Sequence, residues 1–280
     1  MAMIQKKTAL ITGCSTGSIG WAMTKVFHEQ GFHVFATARD PSKAADLSSL
    51  SDMEVLELDV TDPQTISRCK DIVTRGTGGK LDVLVNMAGV EFQSPLLDVD
   101  IAAAKELYDV NVWGPLAVTQ AFAPLLIEAK GVIVNQSSID AVLSMAWAGI
   151  FASSKAAEAR LSETLRLEME PLGVRVVTIM CGSANTPMFS KPSGRMKLSE
   201  TSHYYNVQDT AYEERMEHQG KAMKVEVLAD KLVKDILGGA KGAIWHGALA
   251  SLTRFMTWAC PTWLVDKMVN GERGLDLVRR

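Results

Sequence analysis

Seven short apolar runs punctuate the chain, at residues 8–12, 33–37, 53–60, 82–86, 131–135, 174–180 and 242–246. Most alternate too little between apolar and polar positions to leave one face in water. Strands of a parallel sheet covered on both faces read this way. Between the runs, residues 19–30, 62–75, 99–128, 153–170 and 225–238 repeat their apolar positions at helical spacing. Gly31 stops the first of these, Asp62 followed by Pro63 supplies a cap and a first-turn proline for the second, and Gly238-Gly239 ends the last. Strand and helix alternate from end to end, which predicts an α/β fold with a doubly wound parallel sheet. Residues 187–224, rich in Ser, Thr, Met and charge, show no clear period and are expected to form a lid over the carboxyl edge of the sheet. The last stretch, 245–280, is a Trp-rich tail whose apolar character is broken by Arg254, Pro261 and Asp266, too interrupted to span a bilayer.

Composition narrows the range of partners. The 280 residues carry a formal net charge of −3, with both signs mixed along the chain, so nucleic acid is a poor candidate ligand. Cys14, Cys69, Cys181 and Cys260 are too scattered for a CxxC pair or a zinc site, and no metal is expected. The first residues run at once into the apolar segment Thr8–Thr12, leaving no room for a signal peptide, and a reducing, cytoplasmic setting is the expectation. Parallel α/β folds of this length commonly form one unit, so a single domain over residues 1–280 is expected, with 187–224 as substrate lid and 245–280 closing the pocket or packing on a partner subunit.

The first predicted strand opens into Thr12-Gly13-Cys14-Ser15-Thr16-Gly17-Ser18-Ile19-Gly20 before a helix. Glycines in such a turn let backbone N–H groups approach a pyrophosphate, which the helix N-terminus further stabilises. This loop resembles the TGxxxGxG fingerprint of the short-chain dehydrogenase/reductase family, lengthened by one residue at Ser18. The resemblance continues through Asp59-Val60 at the end of the third strand, Asn86-Met87-Ala88-Gly89 for the family's NNAG, Asn111, Ser138, Lys155, and Cys181-Gly182 with Thr186 for its PG-xxx-T segment. It implies a Rossmann-type domain in which Gly13, Ser15, Thr16, Gly17, Ile19, Gly20, Asp59, Val60, Asn86, Ala88, Gly89, Lys155, Gly182 and Thr186 hold a dinucleotide. NAD enzymes place an acidic side chain at the end of the second strand; here Ala38 stands there and Arg39 follows, which suits a 2′-phosphate and predicts NADP(H).

The family's YxxxK motif reads Phe151-Ala152-Ser153-Ser154-Lys155, so the proton-donating phenol is replaced by Phe151. In the resembled mechanism the tyrosine protonates the carbonyl oxygen, the lysine holds the ribose and acidifies the phenol, the serine orients the carbonyl and the asparagine sustains a water relay. Loss of a general acid costs about 10²–10⁴ in rate. Three explanations stand at this point: a Tyr-to-Phe change introduced into an ordinary reductase, a natural member that has turned to cyclisation, isomerisation or other redox-silent chemistry, or a proton supplied elsewhere, for instance by His203, Tyr204 or Tyr205. Asp140, two residues after Ser138, and Glu91, after Gly89-Val90, would attract a cationic group or act as acid and base if they face the cavity.

The tail and the glycine loop look most like the fungal acyl-dihydroxyacetone-phosphate reductase-like branch of the family, whose relatives handle lipids or secondary metabolites. A bulky apolar carbonyl substrate is therefore expected, with Met188, Met196, Met216 and Met223 supplying an adaptable pocket. Relatives assemble through the helices matching 99–128 and 153–170, implying a homodimer or homotetramer, and the tail allows a peripheral membrane contact.

Overall fold

The computed structural model describes residues 6–190 and 196–278. Its centre is a seven-stranded sheet of β1 (Thr8–Ile11), β2 (His33–Ala38), β3 (Met53–Glu57), β4 (Val83–Asn86), β5 (Val132–Ser138), β6 (Arg175–Cys181) and, after a two-residue β7 (Ala184–Asn185) and β8 (Met223–Lys224), β9 (Gly242–His246). The order across the sheet is β3-β2-β1-β4-β5-β6-β9, and every neighbouring pair is parallel. Successive residues of each strand enter different cores. Ala9, Ile11, Val34, Val85, Val134, Val177 and Ile179 pack on one side with α1 (Ile19–Glu29) and α8 (Val225–Leu237), through Met23, Phe27, Leu232 and Ile236. Leu10, Leu84, Ile133 and Val176 pack on the other with Val73 of α2 (Pro63–Thr77) and with Val118, Phe122 and Leu126 of α4 (Gly114–Ala129). Each such Val, Leu, Ile, Met or Phe side chain contributes about 1.5–3 kcal/mol on burial, which is why the strand sequences are apolar at consecutive positions.

The helix predicted over 99–128 is one continuous rod with an irregularity. α3 (Ile101–Tyr108), capped by the Asp100 carboxylate on Ala102 N, passes through a π-helical turn at Asp109–Trp113 into α4. The wide turn adds a residue to the coil and rotates Asn111 inward, where it is fully buried. By length and composition Ile101–Ala129 is apolar enough to cross a membrane, but half of its most apolar window is buried within the fold, as a core helix is. α5 (Gly149–Met169) starts earlier than the pattern at 153–170 suggests, so Phe151 lies in its first turn.

Of the expected structureless lid 187–224, residues 191–195 lie outside the described residues, and the rest is partly regular. It holds α6 (Pro187–Ser190) and α7 (Gln208–Gly220), and it leaves and rejoins the body through β7 and β8, which pair Ala184 with Met223 and Asn185 with Lys224. Gln219 Nε2 donates to Asn185 Oδ1 at 3.1 Å and ties the end of α7 to the lid's base. Met196, Val207 and Ala211 form a small apolar cluster with Trp147, whose ring meets Tyr204 edge-on at 5.3 Å. The tail is helical as well, in α9 (Ala250–Ala259) and α10 (Thr262–Asn270).

Candidate functional site

The site is built at the carboxyl ends of β1, β4, β5 and β6, where the chain repeatedly leaves the sheet. After β1, Gly13 takes φ +73° and a Cβ there would stand 2.8 Å from Ala88 Cα. Only glycine fits that approach. Ser18 caps α1: its Oγ accepts from Trp21 N at 3.0 Å and donates to Gly13 O at 2.8 Å, so the inserted residue stabilises the lengthened loop. Gly20 lies against Thr12 and Gly13 carbonyls, and Ile19 is buried behind the loop. A Cβ on Gly17 would come within 3.1 Å of Pro187 Cγ, so the glycine loop and the base of the lid meet. Ser15 is half-buried at the loop's open side, and Thr16 Oγ1 donates at 2.9 Å to Lys43 O and to Asp46 Oδ1, strapping the loop to residues 41–49. These glycine clearances and the capped helix start fit a dinucleotide's phosphates.

The remaining positions expected to bind a dinucleotide lie at and beyond the ends of the strands. Arg39 is exposed at the end of β2, and the Asp40 carboxylate beside it is taken by Ser42, whose Oγ donates at 2.6 Å. Asp59 lies beyond the end of β3, which stops at Glu57 rather than at residue 60, because its Oδ1 accepts from Thr61 N at 2.9 Å and turns the chain toward α2. Val60 is buried against Gly114. Thr12 Oγ1 accepts from both Met87 N at 2.9 Å and Ala88 N at 3.0 Å, locking the segment after β4. Asn86 Nδ2 donates to Asn135 Oδ1 at 2.8 Å, while its own Oδ1 is buried without a partner. Gly182 admits no side chain, since a Cβ would collide with Ala248 O, and Thr186 is buried where the lid begins.

Asn111 and Lys155 meet around Gly89, while Ser138 ends β5 and Phe151 lies in the first turn of α5. Asn111 Oδ1 accepts from Val90 N at 2.9 Å, and its Nδ2 donates to Val90 O at 2.9 Å and Ser154 Oγ at 3.2 Å. A Cβ added at Gly89 would stand 3.4 Å from Asn111 Oδ1 and 3.7 Å from Lys155 Nζ, which places both side chains around that glycine. Lys155 Nζ donates to Gln136 O at 2.8 Å and to Glu158 Oε2 at 2.7 Å. Ser138 Oγ donates to Cys181 O at 3.3 Å and accepts from Asp140 N at 3.1 Å. Phe151 is buried and brings no polar atom to the site.

Asp140 is half-buried, and desolvation pushes its carboxyl up to about 6 against the pull of Arg273, Lys155 and the Ser138 hydroxyl. Burial likewise raises the Cys181 thiol to about 12. Glu91 is half-buried in the segment after β4. In the lid, Tyr204 is engaged with Trp147, His203 is exposed and Tyr205 is half-buried.

Two site features escape local sequence reading. Glu158 completes a buried pair with Lys155, and the acidic residue three positions after the lysine on a buried helix face was its one signal. Arg273 reaches the site from the tail: its Nη1 donates to Ala146 O at 3.2 Å, its carbonyl accepts from Trp147 Nε1 at 2.9 Å, and its Nη2 pairs with Glu214 Oε1 at 3.2 Å. Trp147, held in the left-handed region at φ +69°, is thereby fixed between tail and lid. The broad surface depression lined by Ile101, Tyr108, Asp109 and Trp113 shares none of these residues.

Comparison with known proteins agrees with this architecture. The family model described as short chain dehydrogenase matches residues 7–196. The chain is 43% identical over 276 residues to the short-chain dehydrogenase cctT of Talaromyces islandicus, covering 97% of each. It is 36% identical over 266 residues to the NADPH-dependent 1-acyldihydroxyacetone phosphate reductase of Schizosaccharomyces pombe, covering 90% of this chain and 89% of the relative. The crystal structure of a short chain dehydrogenase from Burkholderia cenocepacia in complex with NADP shares the fold, with a TM-score of 0.74 and 23% identity over 96% of this chain and 99% of that one. A glycine-lined turn after β1, Asn111 in its π-turn, and Ser138 and Lys155 at the end of β5 and in α5 are thus carried on a chain that belongs to the short-chain dehydrogenase/reductase family.

Proposed function

We propose that this enzyme binds NADP(H) and reduces a carbonyl group on a bulky apolar, lipid- or secondary-metabolite-like compound, with Asp140 giving the proton that a tyrosine gives elsewhere in the family. The observation that carries this reading is the pairing of an intact Asn111, Ser138 and Lys155 with a phenylalanine at 151 and a protonatable carboxyl beside Ser138. When bound, NADPH supplies the hydride. Gly13, Ser15, Thr16, Gly17, Ile19 and Gly20 would hold its phosphates, Asp59 and Val60 would flank the adenine, and Asn86, Ala88, Gly89, Gly182 and Thr186 would line the nicotinamide end. Arg39 would take the 2′-phosphate, as a guanidinium suits a phosphate better than a ribose hydroxyl.

Lys155 would donate its remaining N–H to the ribose hydroxyls, Ser138 Oγ would orient the carbonyl oxygen, and Asp140 would transfer its proton to that oxygen as charge develops there. Asn111 fixes the Val90 backbone and through it the wall of the pocket. Phe151 excludes water from the reacting face. Assembly as a homo-oligomer through α4 and α5, where Ile127 and Leu167 are exposed, and a cytoplasmic location belong to the same reading.

A redox-silent cyclase or isomerase is the second reading, favoured by Asp140 itself, since a half-buried carboxyl titrating near 6 serves proton transfer without hydride transfer. One set of measurements separates them. Fluorescence titration is expected to show NADPH bound at least about tenfold more tightly than NADH, with Arg39→Leu abolishing the preference. Turnover of a long-chain or polyketide-like ketone is expected to consume one NADPH per product and to be lost in Asp140→Asn with the NADPH affinity retained. Tighter NADH binding overturns the cofactor assignment, and product formed without NADPH consumption overturns the reductase in favour of the redox-silent enzyme.

A further inference from the structure

The buried face of α5 carries Ser154, Lys155, Glu158 and Ser162. Lys155 Nζ lies 2.7 Å from Glu158 Oε2, with the two side chains only 6% and 5% exposed, and a second N–H goes to Gln136 O at 2.8 Å. Of the three ammonium donors two are committed, leaving one for a ligand. The carboxylate lies between the helix and the sheet, where burial raises Glu158 and the lysine opposes the rise.

Such a pair is a poor stabilising device. Two buried charges lose their hydration, and well-packed apolar residues of similar volume commonly serve stability as well or better. Its consequence is electrostatic. A lysine compensated at 2.7 Å presents a short dipole to its surroundings instead of a unit charge. In the family mechanism that unit charge acidifies the tyrosine, and an opposite charge within about 4–6 Å shifts an ionisable group by about 1–3 pH units. At position 151 of this chain there is no phenol to acidify.

We propose that Glu158 is a positioning residue that neutralises Lys155, keeping the lysine available to the cofactor's ribose while withholding the charge a phenol at position 151 would need. Phe151 and Glu158 are then two halves of one change, and Phe151 is native to the site rather than laid over an ordinary reductase. The inference rests on the assignment of Lys155 to a ribose, but its electrostatic core holds without cofactor. The other titratable groups facing the pair are Asp140 and Cys181, with Arg273 coupled to Asp140.

The experiment therefore uses no ligand. The phenolate absorbance of Phe151→Tyr and of Phe151→Tyr/Glu158→Gln is followed against pH, with the wild type and Glu158→Gln subtracted to remove the native tyrosines. The introduced phenol is expected to titrate at about 10 or above with Glu158 present, and at least about one pH unit lower once the carboxylate is replaced by the neutral amide. Equal midpoints in the two variants, or a midpoint below about 9 in the single variant, overturn the proposal. If the glutamine variant does not fold, as judged by circular dichroism, Glu158→Leu replaces it, and the single variant alone still exposes an already acidified phenol. NADPH titration of the wild type is run in parallel: its failure removes the cofactor reading and leaves the charge compensation decided by the phenol.

Discussion

Replacing Asp140 with asparagine should make the protein progressively more stable relative to wild type as pH rises from about 4 to about 7. The native carboxyl keeps its proton up to about 6, against an ordinary value of 3.8. Between those values the folded chain binds a proton that the unfolded chain has released, so raising the pH through this window favours unfolding. The displacement spans about two pH units, at about 1.36 kcal/mol each, for an upper bound of about 3 kcal/mol, and the carboxyl's remaining contact with water brings the expectation to about 1–2 kcal/mol. The substituted amide is uncharged throughout and nearly isosteric with the acid, so the variant lacks the slope. Glu158, also raised by burial, is present in both proteins and cancels in the difference. Urea unfolding of both proteins at several pH values reads the effect directly, provided the transitions are two-state. A difference in stability that stays flat across the window, or that moves in favour of the wild type as pH rises, refutes the claim that Asp140 is held protonated by its surroundings.

Gly13→Ala should lower NADPH affinity at least about tenfold, because a left-handed Ala costs about 1–2 kcal/mol and its Cβ falls against the Ala88 backbone, distorting the phosphate loop; calorimetric titration showing unchanged affinity would sink the assignment of that turn. Native protein treated with iodoacetamide at mildly alkaline pH should be labelled at Cys260 alone, since Cys14, Cys69 and Cys181 are buried and raised to about 12, whereas Cys260 is half-exposed. Peptide mass spectrometry showing early modification of Cys181 would contradict the closed packing around Ser138.

The sheet was legible because parallel strands buried on both faces must be apolar at consecutive positions, and the seven runs correspond to the seven strands of the central sheet. Their ends were less so. Leu58 and Val60 continue the apolar pattern, but the Asp59 carboxylate binds Thr61 and turns the backbone, which ends β3 early. The helix over 99–128 gave no warning of its π-turn, since a single extra residue alters apolar spacing less than the pattern resolves. α7 was hidden because its residues are polar around most of its circumference, and it is fixed by a few point contacts, Ala211 in the cluster with Trp147, Glu214 on Arg273 and Gln219 on Asn185, rather than by a broad apolar stripe. The glycine loop, Ser138 and Lys155 could be read because their chemistry is local to short motifs. Arg273 could not: Trp147 and the arginine whose carbonyl it reaches are 126 residues apart.

Two carboxyl groups in this site are raised by the same cause, and solvent access assigns them different work. Glu158 is 5% exposed at the side chain and holds Lys155 at 2.7 Å, so its protonation is bound to the lysine's and no substrate atom reaches it. Asp140 sits at the start of the short turn after β5, half-open beside the Ser138 hydroxyl, with Arg273 and Lys155 opposing the rise that burial imposes. On the reductase reading proposed above, a bulky apolar substrate seated there would remove the water that remains, and desolvation is the leading cause of the rise already present. Substrate binding would therefore move Asp140 further toward the neutral acid, while Glu158 and Lys155, already enclosed, would be left as they were. Pairs of titratable groups separated in this way are how one pocket divides a proton donor from a fixed electrostatic element, and here the division follows from which carboxyl the fold leaves open to the cleft.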